Sequence, residues 1–162
     1  MKKIPYIIAA SSLAFAASTL NAETGIFGSY IGIDVNNTSN TFYGAQQPGP
    51  NNLTNFNGLD LGTFNTNEGD SLTLSGAEVL TFKNNGSDVT GAEIQWKINR
   101  VTDPSTTGTF TSISIGFTEN ASFNDAAGNN FTGNGDQKWA SLGSIQDLLS
   151  GLTVGSIAAP ID

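Results

Sequence analysis

The chain has 162 residues, of which fourteen are acidic and six basic, with no histidine and no cysteine, giving a net charge of −8. That balance excludes nucleic-acid binding, which needs clustered Lys and Arg to neutralise phosphates. The missing His and Cys exclude Ser-His-Asp and Cys-His nucleophilic catalysis, and zinc sites built on those ligands.

The N-terminal segment reads as an export signal. Lys2 and Lys3 form a positive start, Ile4 to Phe15 is an almost unbroken apolar stretch, and small residues run from Ala16 to Ala22. These are the three parts of a cleavable secretory leader, with cleavage expected after Ala22. A transmembrane anchor fails on length, because the apolar core is too short to cross ~30 Å of hydrocarbon as a helix. Residues 1–22 are therefore expected to leave, with no membrane insertion afterwards, and residues 23–162 to form one secreted domain (periplasmic, cell-surface or extracellular). All fourteen acidic residues stay in that part, against Lys83, Lys97, Arg100 and Lys138. The Asn-x-Ser/Thr triplets at Asn37, Asn52, Asn85, Asn120 and Asn130 are expected by chance in so Asn-rich a chain and are not read as glycan sites.

Period-two patterning dominates the chain beyond Ala22 and predicts an all-β fold. Phe27, Ile31, Ile33 and Val35 share one side of a first strand. Leu59 to Phe64 is a weaker candidate. Leu72 and Leu74 open another strand, and after a break at Gly76 the sheet continues from Glu78 to Lys83. The clearest strand is Ala92 to Asn99, with Ala92, Ile94, Trp96 and Ile98 on one face and Glu93, Gln95, Lys97 and Asn99 on the other. Thr111 to Phe117 directs Ile113, Ile115 and Phe117 inward. Such alternation buries one face and wets the other, as in an antiparallel sheet. Turn chemistry falls between the runs, at Asn85-Gly86, at Asp103-Pro104-Ser105 and at Gly108. Short strands at this spacing indicate a β-sandwich, jelly-roll or immunoglobulin-like. One helical turn is expected over Ser144 to Leu149, capped by Ser144 and ended by Gly151, with Ile145, Leu148 and Leu149 plugging the sandwich. The expected core is Ile31, Ile33, Leu72, Leu74, Phe82, Ile94, Trp96, Ile98, Ile113, Ile115, Phe117 and Leu148.

Two long polar stretches, Asn36 to Asn57 and Glu119 to Gln137, hold the candidate sites, since long loops in compact domains are commonly functional or disordered. Glu119, Asp125, Asn129 and Asp136 offer oxygen ligands on a Gly-flexed loop, the donor set calcium takes. The spacing matches neither an EF-hand nor a calcium β-roll, and a solvated loop with an Asn134-Gly135 turn accounts for it as well. Trp139 and Tyr43 are the aromatics placed to stack on a sugar ring, although Trp139 also reads as an anchor fixing the loop to the sandwich. Trp96, alternating with Ile94 and Ile98, reads as core. Glu78 and Glu93 fall at or near solvent-facing strand positions, and no carboxylate pair stands out as catalytic.

From Phe56 to Gly155 the chain resembles an uncharacterised β-sandwich module of secreted multidomain proteins from Bacteroidetes and Verrucomicrobia. The resembling pieces are FNGLDLGTF, SLTLSGAEVLTFKNNGSDVTGAEIQWKI, GTFTSISIGF, NGDQKWAS and LLSGLTVG. The Lys83-Asn84-Asn85-Gly86 turn, the Asp136-Gln137-Lys138-Trp139 element and the Leu148-Leu149-Ser150-Gly151-Leu152 turn follow the family's order. The resemblance implies a sandwich and a secreted location, and no reaction. Family members continue after the glycine equivalent to Gly155 with Thr-Tyr and an alternating apolar strand, where this chain has Ser156 to Asp162 with Pro160. The expectation is that the closing strand is missing, which leaves an open sheet edge that invites another chain.

The function expected first is a non-catalytic structural or adhesive module. A carbohydrate-binding module, with calcium in the 119–136 loop as its one candidate cofactor, is the alternative. A hydrolase using two carboxylates comes last. Expected partners are a polysaccharide, another extracellular protein, or a chain pairing at the open edge.

Overall fold

The computed structural model describes residues 6–12, 23–45, 53–84, 88–100 and 109–150. The expected turns at Asn85-Gly86, Asp103 to Ser105 and Gly108, and the segment from Gly151 to Asp162, lie outside them. The described residues are mostly antiparallel strand, in a sandwich-like all-β arrangement.

The strands are β1 (Tyr6–Ser12), β2 (Thr24–Val35), β3 (Asn40–Gly44), β4 (Leu72–Lys83), β5 (Ala92–Arg100), β6 (Thr111–Ile115), β7 (Phe117–Asn120), β8 (Phe123–Asn124), β9 (Asn130–Phe131) and β10 (Asp136–Asp147). They make a three-stranded sheet in the order β1-β5-β6, a five-stranded sheet in the order β3-β2-β4-β10-β7, and the small β8-β9 hairpin. Neighbouring strands pair antiparallel throughout.

Alternation places the core between the two larger sheets. Ile31, Ile33, Leu72, Leu74, Ala77, Val79 and Trp139 of the five-stranded sheet pack with Ile94 and Ile115 of the other, joined by Phe56 and Leu148. Trp96, Ile98 and Ile113 are half-buried against the same cluster. Burying one such aliphatic side chain contributes roughly 1.5–3 kcal/mol relative to leaving it in water.

Several expectations change because the strands are not uniform. β2 carries an irregularity between Ile26 and Gly28. The extra residue in the bulge rotates Phe27 away from the side of Ile31 and Ile33, and it packs instead near Tyr30 and Phe131. Gly76 is no break. β4 runs through it to Lys83, with a register shift against Gly32–Ile33 of β2. Gly76 faces Gly32, and the Phe42 ring lies where a Cβ at Gly76 would sit, 2.9 Å from its Cζ. Phe117, expected inside, is 54% exposed. The chain leaves one sheet with Ile115 and joins the other at Phe117, with Ala140 N donating to the Gly116 carbonyl at 2.9 Å, so the alternation resets there. Phe82, also expected in the core, is only half-buried.

The helical turn expected at Ser144 is absent. β10 continues through it, with Gln146 opposite Leu74 and Asp147 opposite Thr73 after a shift that begins at Leu142. Gly143, at φ 105°, supplies the left-handed backbone of that irregularity. Leu148 still plugs the core at 2% exposure, its N–H bonded to the Leu72 carbonyl. The helical turn among the described residues is a 3-10 turn at Thr66–Glu68, where Asn65 accepts from the Asn67 N–H. Leu59 to Phe64 forms no strand, but Leu59, Leu61 and Phe64 pack against the core.

Tyr6–Ser12, the heart of the expected leader, lies antiparallel beside β5, from Tyr6 opposite Arg100 to Ser12 opposite Ile94. An exposed strand edge is a row of backbone donors and acceptors, and an extended segment satisfies them.

Candidate functional site

The second polar stretch is a third layer rather than a loose loop. β8 and β9 form a hairpin, with Phe123 opposite Phe131 and Asn124 opposite Asn130. It lies on the face of the five-stranded sheet that points away from the core, where Phe123 buries with Tyr30 and Leu80 and Phe27, Phe42 and Phe131 pack around them. Phe131 has its ring 5.3 Å from Phe27 and 5.5 Å from Phe123.

Between hairpin and sheet sits a cluster of buried polar groups. Tyr30 of β2 pairs with Glu78 of β4, so both side chains leave the same face of the sheet. Lys138 of β10 lies opposite Leu80 and reaches Glu78 from the next strand. The Tyr30 hydroxyl donates to Asp125 Oδ2 at 2.6 Å. Asp125 Oδ1 accepts from the N–H groups of Ala127 at 3.0 Å and Asn129 at 2.7 Å, and its Oδ2 also accepts from Asn129 Nδ2 at 2.9 Å. Glu78 accepts from the Ala126 N–H at 2.9 Å and lies 3.2 Å from Lys138 Nζ. Lys138 also donates to the Asn124 carbonyl at 2.6 Å. Two carboxylates, a phenol and an ammonium thus tie the hairpin to three strands of the sheet.

The placement of Glu78 corrects the expectation of a solvent-facing carboxylate, for it is 2% exposed. The alternation does turn Glu78 to the outer face, but the hairpin covers that face. Burial pushes the Glu78 carboxyl above the ordinary range, the Ala126 N–H and Lys138 oppose that, and Asp125 adds to it. Burial likewise raises the Tyr30 phenol, helped by its bond to Asp125. Asp136 is raised by burial, while Asp88 is lowered chiefly by its hydrogen bond from Lys83.

Of the four calcium candidates, the structure brings Asp125 and Asn129 together, bonded to each other. Glu119 is exposed on β7, opposite Lys138, and Asp136 opens β10 opposite Phe82. Among the described residues no group of three or more acidic side chains is arranged to hold a metal ion.

Of the two stacking candidates, Trp139 is 6% exposed. Its Nε1 donates to Thr81 Oγ1 at 3.0 Å, and Phe117 packs edge-on at 5.4 Å. Tyr43 is half-buried with its ring 6.1 Å from Phe56. Trp139 therefore packs in the core between the sheets, on the face opposite the hairpin. Sequence reasoning does not bring Tyr30, Glu78 and Lys138 together. The available signal is that Glu78 sits within the apolar run Ala77 to Leu80 of a central strand, where a charge implies a buried partner.

Comparison with known proteins returns nothing: no family model, no curated protein and no solved structure matches the chain.

Proposed function

We propose that residues 23–162 act as a non-catalytic, exported β-sandwich module with a structural or adhesive role. The observation that supports this reading is how the acidic cluster is used. Asp125 and Glu78, 6% and 2% exposed, direct their oxygens at the hairpin's own N–H groups and at Tyr30 and Lys138. A glycosidase needs its carboxylates open to a sugar from both sides of the scissile bond, and these are closed beneath a hairpin. Export rests on Lys2-Lys3 and the Ile4 to Phe15 stretch, and the resemblance to modules of secreted Bacteroidetes and Verrucomicrobia proteins points the same way.

A carbohydrate-binding role is the second reading, and Phe117 is what favours it. Its ring is more than half exposed and held edge-on by buried Trp139, a rigid aromatic surface of the kind that stacks on sugars.

The test is to display the chain on bacterial cells and measure attachment to protein-coated and polysaccharide-coated surfaces. The structural or adhesive reading expects attachment to protein that free sugars do not compete. Attachment to polysaccharide that Phe117→Ala abolishes would move the assignment to carbohydrate binding. Release of reducing ends that Glu78→Gln or Asp125→Asn stops would overturn both in favour of hydrolysis.

A further inference from the structure

We propose that Asn57-Gly58 is a self-modification site, at which the Asn57 side chain converts without an enzyme to aspartate and isoaspartate. The substrate is the chain's own amide, and water is the co-reactant.

Three Asn-Gly pairs occur in the chain, Asn57-Gly58, Asn85-Gly86 and Asn134-Gly135. In each, glycine opens the way for the reaction, because it has no Cβ to shield its backbone nitrogen from the preceding side chain. Asn85-Gly86 lies outside the described residues. The fold separates the other two.

Asn57 and Gly58 are the central residues of a turn that the Leu59 N–H closes on the Phe56 carbonyl at 3.1 Å. Gly58 holds φ 80°, as the third residue of a type II turn does. Both residues are exposed, and nothing lies within 4 Å of the place a Gly58 Cβ would take. Among the described residues no hydrogen bond engages the Gly58 N–H or the Asn57 side-chain amide. Backbone and side chain can therefore rotate until the Gly58 nitrogen meets Asn57 Cγ, and a ring closure within one chain carries a high effective concentration.

Asn134-Gly135 also sits in a turn, closed by the Asp136 N–H on the Gly133 carbonyl at 3.0 Å. Its peptide is pinned to β4. The Gly135 carbonyl accepts from the Lys83 N–H at 3.0 Å, and the Lys83 carbonyl lies against Gly135 where a Cβ would sit. Swinging that peptide into a ring breaks this contact.

The conversion balances with water alone. The Gly58 nitrogen bonds to Asn57 Cγ, the Cγ–N bond of the side-chain amide breaks, and the displaced nitrogen leaves as ammonia with the proton that Gly58 gave up. Water then opens the cyclic imide. Attack at Cγ gives aspartate, and attack at the main-chain carbonyl carbon of residue 57 gives isoaspartate, whose backbone is longer by a methylene. Either product adds a negative charge. The longer backbone falls beside Phe56, a core residue whose N–H bonds to the Gly44 carbonyl at 2.8 Å.

The experiment incubates the purified full chain for weeks at body temperature and mildly alkaline pH, in buffer and in concentrated urea, and maps each Asn by peptide mass. Conversion reads as a gain of about 1 Da in the peptide, and an isoaspartyl methyltransferase with a labelled methyl donor marks the isoaspartate. In buffer, Asn57 is expected to convert at least tenfold faster than Asn134. In urea, where neither turn persists, that ratio should fall towards one. Asn57→Gln should lose the label at this position, because its longer side chain must close a larger ring. An Asn57 that stays intact in buffer over the time that converts it in urea would overturn the proposal. Equal conversion of Asn57 and Asn134 in buffer, or a ratio that urea leaves unchanged, would overturn it too, since flanking sequence and not the fold would then set the rates.

Discussion

Tyr30 and Asp125 meet across 95 residues of chain, the phenol hydroxyl donating to Asp125 Oδ2 at 2.6 Å. One belongs to a strand buried in the middle of a sheet and the other to the tip of a two-residue-per-strand hairpin. Such a small hairpin has little stability of its own. Its position comes from the aromatic packing of Phe123 and Phe131 and from this polar latch.

Tyr30→Phe should therefore cost about 1.5–3 kcal/mol, the range for a buried hydrogen bond to an acidic acceptor. Asp125→Ala should cost more, because Ala127, Asn129 and Tyr30 all lose their acceptor. Urea unfolding gives both values. Amide exchange should locate the loosening in residues 123–131, and loosening confined elsewhere would refute the latch.

Glu78 sets a pH dependence whose sign is fixed by its raised pKa. Between its ordinary value of 4.5 and the higher folded value, the folded chain binds more protons than the unfolded one. The contribution is complete below the unfolded value and is lost as pH rises through the folded one. Glu78→Gln removes this titration. The stability of the wild type relative to that variant should thus fall as pH increases from about 4 towards neutrality. A relative stability that rises with pH over that window would contradict the placement of Glu78.

Trp139 should behave as core. Trp139→Ala is expected to cost about 3–5 kcal/mol, and Thr81→Val about 1–3 kcal/mol by leaving the indole N–H without its acceptor. Thermal and urea melts check both. A Trp139→Ala variant as stable as wild type would return this residue to the surface.

Two substitutions between Ala and Gly should act in opposite directions. A Cβ at Gly135 would run into the Lys83 carbonyl, which belongs to backbone and cannot swing aside. Gly135→Ala should cost about 1–3 kcal/mol. Ala121 holds φ 66°, a left-handed conformation that Gly adopts freely. Ala121→Gly should be neutral to stabilising by up to about 1 kcal/mol. Paired melts of the two variants give the comparison.

Calcium or a chelator should leave the melt of the exported protein unchanged. Asp125 directs both oxygens at hydrogen-bond donors, while Glu119 is on another strand and exposed. A clear upward shift on adding calcium would show that these oxygens rearrange around the ion.

The strands are legible wherever period two holds without interruption. Ala92 to Ile98 and Thr111 to Ile115 need only their alternation, because one face of each is buried and a slip of one residue would invert it. The β2–β3 hairpin lies hidden in a stretch that reads as polar loop. Its signal is Asn36-Asn37, both left-handed at φ 55° and 53° in the turn that the Thr38 N–H closes on the Val35 carbonyl, a backbone that Asn tolerates. Composition singles out Asp125 and Asn129 together as oxygen ligands, and the structure bonds them to each other. What only the tertiary structure decided is which face of each strand is covered, and by what. A bulge of one residue turned Phe27, and a change of sheet at Gly116 turned Phe117. A hairpin whose Ala126 lies 48 residues downstream closed over Glu78. Local sequence determines that a strand alternates. Whether its second face meets water or another layer depends on contacts distant in the chain, and those decide whether a carboxylate is a surface charge or a latch.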